Sequence, residues 1–497
     1  MKPTTLRSLG CASLFMALMC ISSKHVAGDE KTTAKPPVDR TKQIAEGREL
    51  FERDWLKKPP RTTTSDGLGP MYNDVSCVGC HNLGGVGGAG PLLKNVDLLS
   101  VVSPRSRGLA RRSSFDRIVQ RVHPDFGAGS KNLILHRFGR DAAGSLAKYN
   151  VWRNKLLNID DREKFTTTSL FRTVSKVRVQ MTQRNTPALF GAGMIDSIPD
   201  SVLIEAAEKQ KNDRRGISGR VPQTTKGSVG RFGWRGQIAS LQEFVESACA
   251  AELGLGVPRH RQNENPLENP KPVNAVRSGR RGSGFFQIGG AAKIDLTQEQ
   301  CDALTTFVAS LPAPEPVKNL HLEDSKLAMA GEKQFNKIGC ADCHRRDLGP
   351  AKGIFSDLLL HDMGRRLADP LAAMPELSRE DAVNLNGYYG VSTDEILAKA
   401  TTNIRQEWKT PPLWGVRDSA PYLHDGRAAS LETAILMHDG EAKRTAAAFK
   451  SLKRKQRKQV VLFLHSLVPP GAKPNGLNSM GVRGGGSSGG GFFSVDN

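Results

Sequence analysis

At 497 residues the chain is longer than one hydrophobic core usually organises, so two or three domains are expected. Hydrophobic residues make up 38% and aromatic residues 6%, which is lean for a protein with large buried ligands unless the ligands bring aromatic surface themselves. The formal net charge of +21 is concentrated in residues 103–121, 209–235 and 443–458, but no nucleic-acid motif accompanies these runs. They read as solvated surface or as faces for acidic partners, and nucleic acid is set aside.

The N-terminus carries Lys2 and Arg7, an apolar run from Leu9 to Ile21, and small residues around Val26, Ala27 and Gly28. That is the layout of a secretory signal peptide, placed at residues 1–28. The run is too short to span a bilayer, and no later stretch offers eighteen apolar residues. A periplasmic or otherwise exported, soluble chain is expected.

Next come Gly47-Arg-Glu-Leu-Phe51 and then Cys77-Val-Gly-Cys80-His81, a C-x-x-C-H pentapeptide. A second copy, Cys340-Ala-Asp-Cys343-His344, follows Gly331-Glu-Lys-Gln-Phe335. Two cysteines three apart can form two thioethers to one porphyrin, and the following histidine reaches the iron from the same face, so each pentapeptide reads as a haem c attachment site. One rival gathers the four cysteines into a zinc site, which has no need of a histidine after each pair. Another, a thioredoxin-like redox pair, lacks the βαβ setting it requires. Of eight cysteines, Cys11 and Cys20 leave with the signal, and Cys249 and Cys301 remain. A disulfide and two buried free thiols are both open to them.

Other segments recur in the same order. Thr186-Pro-Ala-Leu-Phe-Gly191 returns as Thr410-Pro-Pro-Leu-Trp-Gly415, Gly236-Gln-Ile-Ala-Ser-Leu as Gly426-Arg-Ala-Ala-Ser-Leu, and Phe307-Val-Ala-Ser-Leu as Phe463-Leu-His-Ser-Leu. Such ordered self-similarity indicates a duplicated module, one per haem. Apolar spacing of three and four predicts helices at 240–253, 298–311, 431–437 and 454–467, with Ser240 and Ser430 as N-caps and Pro312 and Pro469 past the closing helices. Strand signals are few. The first module is lengthened by basic insertions near 98–140 and a polar stretch at 259–284, and the Gly/Ser-rich tail at 471–497 reads as disordered.

Gly67-Leu-Gly-Pro-Met-Tyr-Asn73 running into the first pentapeptide, Thr186-Pro-Ala-Leu-Phe-Gly-Ala-Gly193, Leu360-His-Asp-Met-Gly364 and Ala420-Pro-Tyr-Leu-His-Asp-Gly-Arg427 together resemble the di-haem oxidoreductase family. Its members carry the labels peroxidase and thiol oxidoreductase. It is related to the bacterial di-haem cytochrome c peroxidases and the di-haem enzyme of methylamine utilisation. The resemblance implies a mainly α fold of two tandem cytochrome c-like domains, at 29–314 and 315–470. It also implies that one haem stores and passes electrons while the other meets substrate.

In the related peroxidases the C-terminal haem takes its sixth ligand fourteen residues after the histidine of the Pro-Tyr-x-His-Asp-Gly motif; from His424 that position is His438. The resemblance thus implies His81 and His344 as proximal ligands and His438 as the distal ligand of the second iron. Met437 and Met363 are competitors, and His361 is expected to be structural. The repeat offset of 190 puts Ala248 where the second module has His438, so the first iron is expected to be open unless His123 or His136 closes it.

Relatives place an acid–base glutamate directly after the Ser-Leu pair; Gln242 stands there, with Glu243 adjacent, and Gln cannot move a proton. Trp234 occupies the repeat position of His424, as an electron relay between haems or a packing residue, and Arg235 is a candidate propionate partner. Carboxylate spacing shows no calcium loop. The expected function is a peroxidase-like oxidoreductase that passes electrons from a donor protein or small mediator through the C-terminal haem to a reactive N-terminal haem and peroxide. The alternative is a non-catalytic di-haem electron carrier.

Overall fold

The computed structural model describes residues 39–57, 67–102, 123, 132–141, 143–157, 170–174, 177–211, 213, 215–224, 227–260, 262–263, 265, 267–268, 294–314, 322–369 and 406–471. The expected signal peptide, the basic run 103–121, most of the stretch 259–284 and the tail beyond Gly471 lie outside them.

The elements in chain order are α1 (Arg40–Glu52), β1 (Met71–Tyr72), α2 (Cys77–Cys80), β2 (Val96–Val102), β3 (Asn132–Ile134), β4 (Phe138–Gly139), α3 (Ala147–Leu157), β5 (Leu170–Val174) and β6 (Val177–Arg184). They continue with α4 (Ala192–Asp196), α5 (Asp200–Gln210), α6 (Leu241–Glu252), α7 (Gln298–Ser310), α8 (Leu322–Lys337), β7 (Leu360–Asp362), β8 (Glu407–Lys409), α9 (Leu431–Met437), α10 (Lys443–Ser451) and α11 (Arg454–His465). The fold is helix-rich with some sheet. Among the described residues no helix is long and apolar enough to cross a membrane.

The predicted helices form within a residue or two of their expected ends. Ser240 caps α6 by accepting from the Glu243 amide, and Ser430 caps α9 by accepting from the Thr433 amide. Such a bond satisfies one of the amides a helix start leaves free. Thr297 and Gln300 close a reciprocal capping box at the start of α7.

The four-stranded antiparallel sheet, in the order β3-β2-β6-β5, goes beyond the few strand signals read from the sequence. Its cue was the alternation Val-Arg-Val-Gln-Met-Thr over 177–182, masked by the many charges around it. Leu98 pairs with Thr182 on one side and Ile134 on the other, and Val96, Leu98 and Ile134 pack with Ala251 of α6. The sheet thereby anchors β6, whose end leads into Asn185-Thr186-Pro187. A two-stranded ribbon of β7 and β8, with His361 opposite Trp408, leads likewise into Thr410-Pro411.

Each half packs its first helix against its last in the same way. In the first, a Cβ at Gly47 would fall on the Ala303 carbonyl and 2.7 Å from the Phe307 Cβ; in the second, a Cβ at Gly331 would fall on the Gln459 carbonyl and 2.8 Å from the Phe463 Cβ. Phe51 meets Phe307 at 5.3 Å between ring centroids, and Phe335 meets Phe463 at the same separation. Only glycine permits this approach of α1 to α7 and of α8 to α11. Gly47→Ala is therefore expected to cost about 1–3 kcal/mol by overpacking, despite alanine's better helix propensity. Urea unfolding monitored by circular dichroism checks this as a lowered midpoint.

The larger core runs from Leu50 and Phe51 through Leu241 and Val308 to Leu348, Ile354, Leu358, Leu359 and Trp414, so second-half residues complete it. A smaller core of Phe335, Phe355, Phe449, Val460 and Phe463 serves the second half.

Candidate haem sites

Ser76 starts the first site by accepting from the Gly79 amide at 3.0 Å, which closes α2 into one turn. Cys77 and Cys80 thus share a face, and the His81 amide donates to the Cys77 carbonyl at 2.9 Å. His81 Nδ1 lies 3.2 Å from the Gly88 carbonyl, and burial pulls its pKa down to about 4. A neutral imidazole that donates through Nδ1 leaves Nε2 for a metal. The Phe51 ring stands 6.2 Å from the His81 ring.

The second site repeats this arrangement with a different local turn. Gly339 at φ +94 opens a 3-10 turn, Cys340–Asp342, and the His344 amide donates to the Cys340 carbonyl at 2.9 Å. His344 Nδ1 lies 2.9 Å from the Phe355 carbonyl, burial again lowers its pKa to about 4, and Phe335 stands 6.3 Å from its ring. Burial raises the thiols of Cys77 and Cys340 to about 12, so both are held as neutral S–H groups.

Each cysteine pair lines its own cavity, which rules out the four-cysteine zinc site read as a rival. The first cavity, about 1010 Å³ with its mouth included, is walled by Cys77, Cys80, His81, Phe244, Val245 and Ala248. The second, about 2140 Å³, is walled by Cys340, Cys343, His344, Tyr422, Ala434 and His438.

Asn185, Thr186, Pro187, Gly233 and Trp234 line both cavities and form the partition between them. The Asn185 amide donates to the His424 carbonyl at 2.8 Å, and the Lys409 amide donates to the Trp234 carbonyl at 3.0 Å. Asn185 and Lys409 precede the two Thr-Pro repeats, and Trp234 and His424 are also repeat counterparts, so these bonds are reciprocal. Counterparts meet only near an internal two-fold axis. The Trp234 and His424 rings meet edge-on at 6.5 Å, and His424 stacks on Trp408 at 3.7 Å. Trp234 Nε1 donates to the Asn185 carbonyl at 2.9 Å.

His438 follows α9 and presents its ring to the second cavity, with Nδ1 2.8 Å from the Ala434 carbonyl and its pKa lowered by burial. Its Nε2 is left for a metal. His361 also reaches this cavity, but Nε2 lies 3.0 Å from Asp357 and Nδ1 2.8 Å from Glu441, so both ring nitrogens are engaged. Met363 lines the cavity too, whereas Met437 does not.

In the first cavity Ala248 stands on the α6 face, as the repeat offset predicts. His136 Nε2 lies 3.0 Å from the Ala251 carbonyl, His123 is edge-on to Trp152 at 5.1 Å, and neither lines the cavity. Gln242 and Glu243 also stand off it. Gln242 donates to Asp302 at 2.7 Å, and Glu243 is held near the helix start.

Glu252 is the acidic group that the sequence reading missed. It lies four residues after Ala248, hence on the same helical face, and it lines the cavity. Burial pushes its pKa from 4.5 up to about 7, while Asn73 Nδ2 donates to one carboxyl oxygen at 2.8 Å. The spacing from Ala248 was the available signal.

Residues suited to carboxylate groups complete the cavities. Arg184 lines the first, bonds Asp369 through both terminal nitrogens, and has a buried Nε with no partner. Trp414 Nε1 is likewise buried and unpartnered in the second, where Lys409 is also buried with its pKa lowered to about 8. Two apolar cavities, each with a cysteine pair, an Nδ1-anchored histidine and orphaned donors, fit haem with its propionates. Arg235 is otherwise engaged, donating to Asp369 at 2.7 Å and to the Glu407 carbonyl at 2.7 Å. Cys249 and Cys301 are both free and buried.

The family described as "Di-haem oxidoreductase, putative peroxidase" matches residues 397–467. The methylamine utilization protein MauG of Methylorubrum extorquens is 30% identical over 177 residues, covering 33% of this chain. The resemblance to the di-haem oxidoreductases holds. That family implies haem cofactors. The chain spans 42% of the length of MauG. Among solved structures, hydrazine synthase of Kuenenia stuttgartiensis matches at a TM-score of 0.30 and 18% identity, over 57% of this chain and 72% of that one. A MauG-like protein associated with microbial copper homeostasis matches at 0.26 and 14%, over 55% and 90%.

Proposed function

We propose that the protein is an exported di-haem c-type oxidoreductase of peroxidase-like activity, with a saturated second haem and a substrate-open first haem. The observation that carries this reading is the contrast between two otherwise matching cavities: His438 faces the second, and Ala248 with Glu252 faces the first. Alanine offers no ligand, and a carboxyl whose pKa burial brings to about 7 is poised to move a proton near neutral pH.

Cys77 and Cys80 would tether one haem and Cys340 and Cys343 the other, with His81, His344 and His438 as iron ligands. Haem supplies one-electron redox chemistry and, at an open iron, peroxide activation. Glu252 would hold or move a proton at the carboxyl oxygen that Asn73 leaves free, on the side of the cavity where a peroxide would meet the first haem. Val245 and Phe244 exclude bulk water from that side. Trp234, standing in the partition, carries electrons between the cavities, and its Nε1 bond to Asn185 fixes the ring. Arg184, Lys409 and Trp414 would anchor propionates. The electron donor is a protein or a small mediator.

The test is mass spectrometry of the secreted chain together with electronic spectra. The expected result is two haems per chain, one low-spin and one that binds cyanide. Two haems that both refuse cyanide and peroxide, before and after partial reduction, would replace this reading with a simple electron carrier.

A further inference from the structure

Two of the exposed large apolar side chains among the described residues, Leu92 and Leu93, sit next to each other. Leu92 is 52% and Leu93 83% exposed on the turn that follows the first haem motif. Single exposed leucines are ordinary on a protein surface; an adjacent pair beside a functional partition is less so. Leu92 rests against Gly426, since a Cβ there would lie 3.2 Å from its Cδ1. Next to Gly426, Arg427 donates to the Arg366 carbonyl at 2.6 Å, and the side chains of Arg365 and Arg366 are exposed. The surface is thus an apolar centre with a cationic edge.

A short bonded route leads inward from it. Asn95 Nδ2 donates to the Asp425 carbonyl at 2.9 Å, the Asn185 amide to the His424 carbonyl at 2.8 Å, and Trp234 Nε1 to the Asn185 carbonyl at 2.9 Å. Trp234 and Asn185 line both cavities. A partner seated on Leu92, Leu93 and Gly426 therefore stands one residue layer from the wall shared by the two sites.

We infer that this face docks an acidic electron-transfer protein, a conclusion that rests on the di-haem reading above and adds the place and charge of the partner. Apolar contact at the centre supplies the docking energy, and the arginine edge speeds encounter with a negatively charged surface, an effect that salt screens. The formal charge of +21 favours the same choice of partner over a basic one.

The experiment uses the full di-haem protein and, as probe, a reduced plant-type [2Fe–2S] ferredoxin, an acidic one-electron donor. Stopped-flow reduction is followed at several salt concentrations, and binding of the oxidised ferredoxin is measured by calorimetry. Leu93→Asp and the double variant Arg365→Glu/Arg366→Glu are each expected to lower the second-order rate constant at least tenfold at low salt, to flatten its salt dependence, and to weaken binding by a similar factor. Their Soret spectra and their reduction by dithionite stay as in the unaltered protein. Met329→Asp, on the exposed face of α8, behaves as the unaltered protein.

Unchanged ferredoxin rate and affinity in both variants would overturn the docking surface while leaving the di-haem reading intact. So would loss of binding to phosphatidylserine vesicles with no effect on ferredoxin, which would assign the face to membrane instead. An unaltered protein with no Soret band to reduce would overturn both.

Discussion

Glu252→Gln lowers peroxide turnover about 10²–10⁴-fold, the range that one positioned acid–base group contributes. The substitution keeps the shape of the side chain and its bond with Asn73, so haem content and the Soret spectrum stay as they were. Gln cannot carry a proton, whereas Glu252, with its pKa raised to about 7 by burial, changes form near neutrality. As base it must first be ionised, so the rate of reaction with peroxide falls as pH drops through about 7, and that limb vanishes in Glu252→Gln. Stopped-flow kinetics against pH checks both points. Glu243→Gln, whose side chain does not line the cavity, serves as the comparison and retains the limb.

The same shift has a stability consequence. The folded chain holds a proton on Glu252 between about 4.5 and about 7 that the unfolded chain has already lost. The folded state binds more protons in that window, so this group's contribution to stability declines as pH rises across it. In Glu252→Gln that part of the slope is absent, which urea titrations at pH 5 and pH 7.5 would show.

His438→Ala opens the second haem. The side chain ends on Nε2 in the second cavity; of the other histidines lining it besides His344, His361 is held at both ring nitrogens by Asp357 and Glu441, and His424 is stacked on Trp408 with Nε2 3.4 Å from Asp425. Cyanide is then expected to bind both haems instead of one, and the low-spin component of the spectrum to fall to near zero; added imidazole restores it. Met363, which shares the cavity, is the group that would thwart this outcome by stepping in as ligand, and a spectrum of the His/Met type would reveal it. On the proposed reading, in which the second haem stores electrons, turnover is also expected to fall even though Glu252 is untouched.

Much of the site was legible in the sequence because its chemistry is local. Two cysteines and a histidine within five residues carry the whole logic of haem attachment, and the paired Thr-Pro and Ser-Leu repeats put His438 and Ala248 in register. The capping of α6 and α9 followed from Ser240 and Ser430 for the same reason: an N-cap bond spans three residues. Glu252 was less legible. Its role depends on being desolvated beside Asn73 and Cys77, and these approach it from a segment about 180 residues away. Gln242 and Glu243 drew attention by motif position, yet helix geometry turns them from the cavity and brings Glu252 into it.

The strands make the same point. Residues 177–182 alternate, but whether an alternating run forms a strand depends on partners, and β6 has them only because β2 and β5 lie on either side.

From residue order alone come the two Cys-x-x-Cys-His motifs, the repeated segments, the main helices and the contrast of His438 with Ala248, since each is set by spacing within one element or by comparison of one half with the other. Tertiary structure alone decided that Trp234 meets His424, that Asn185 and Lys409 bond across the halves, and that the Glu252 carboxyl, buried with a raised pKa, lines the first cavity. Those outcomes arise where chain segments far apart in sequence exclude water between them, and burial of that kind cannot be read from neighbours along the chain.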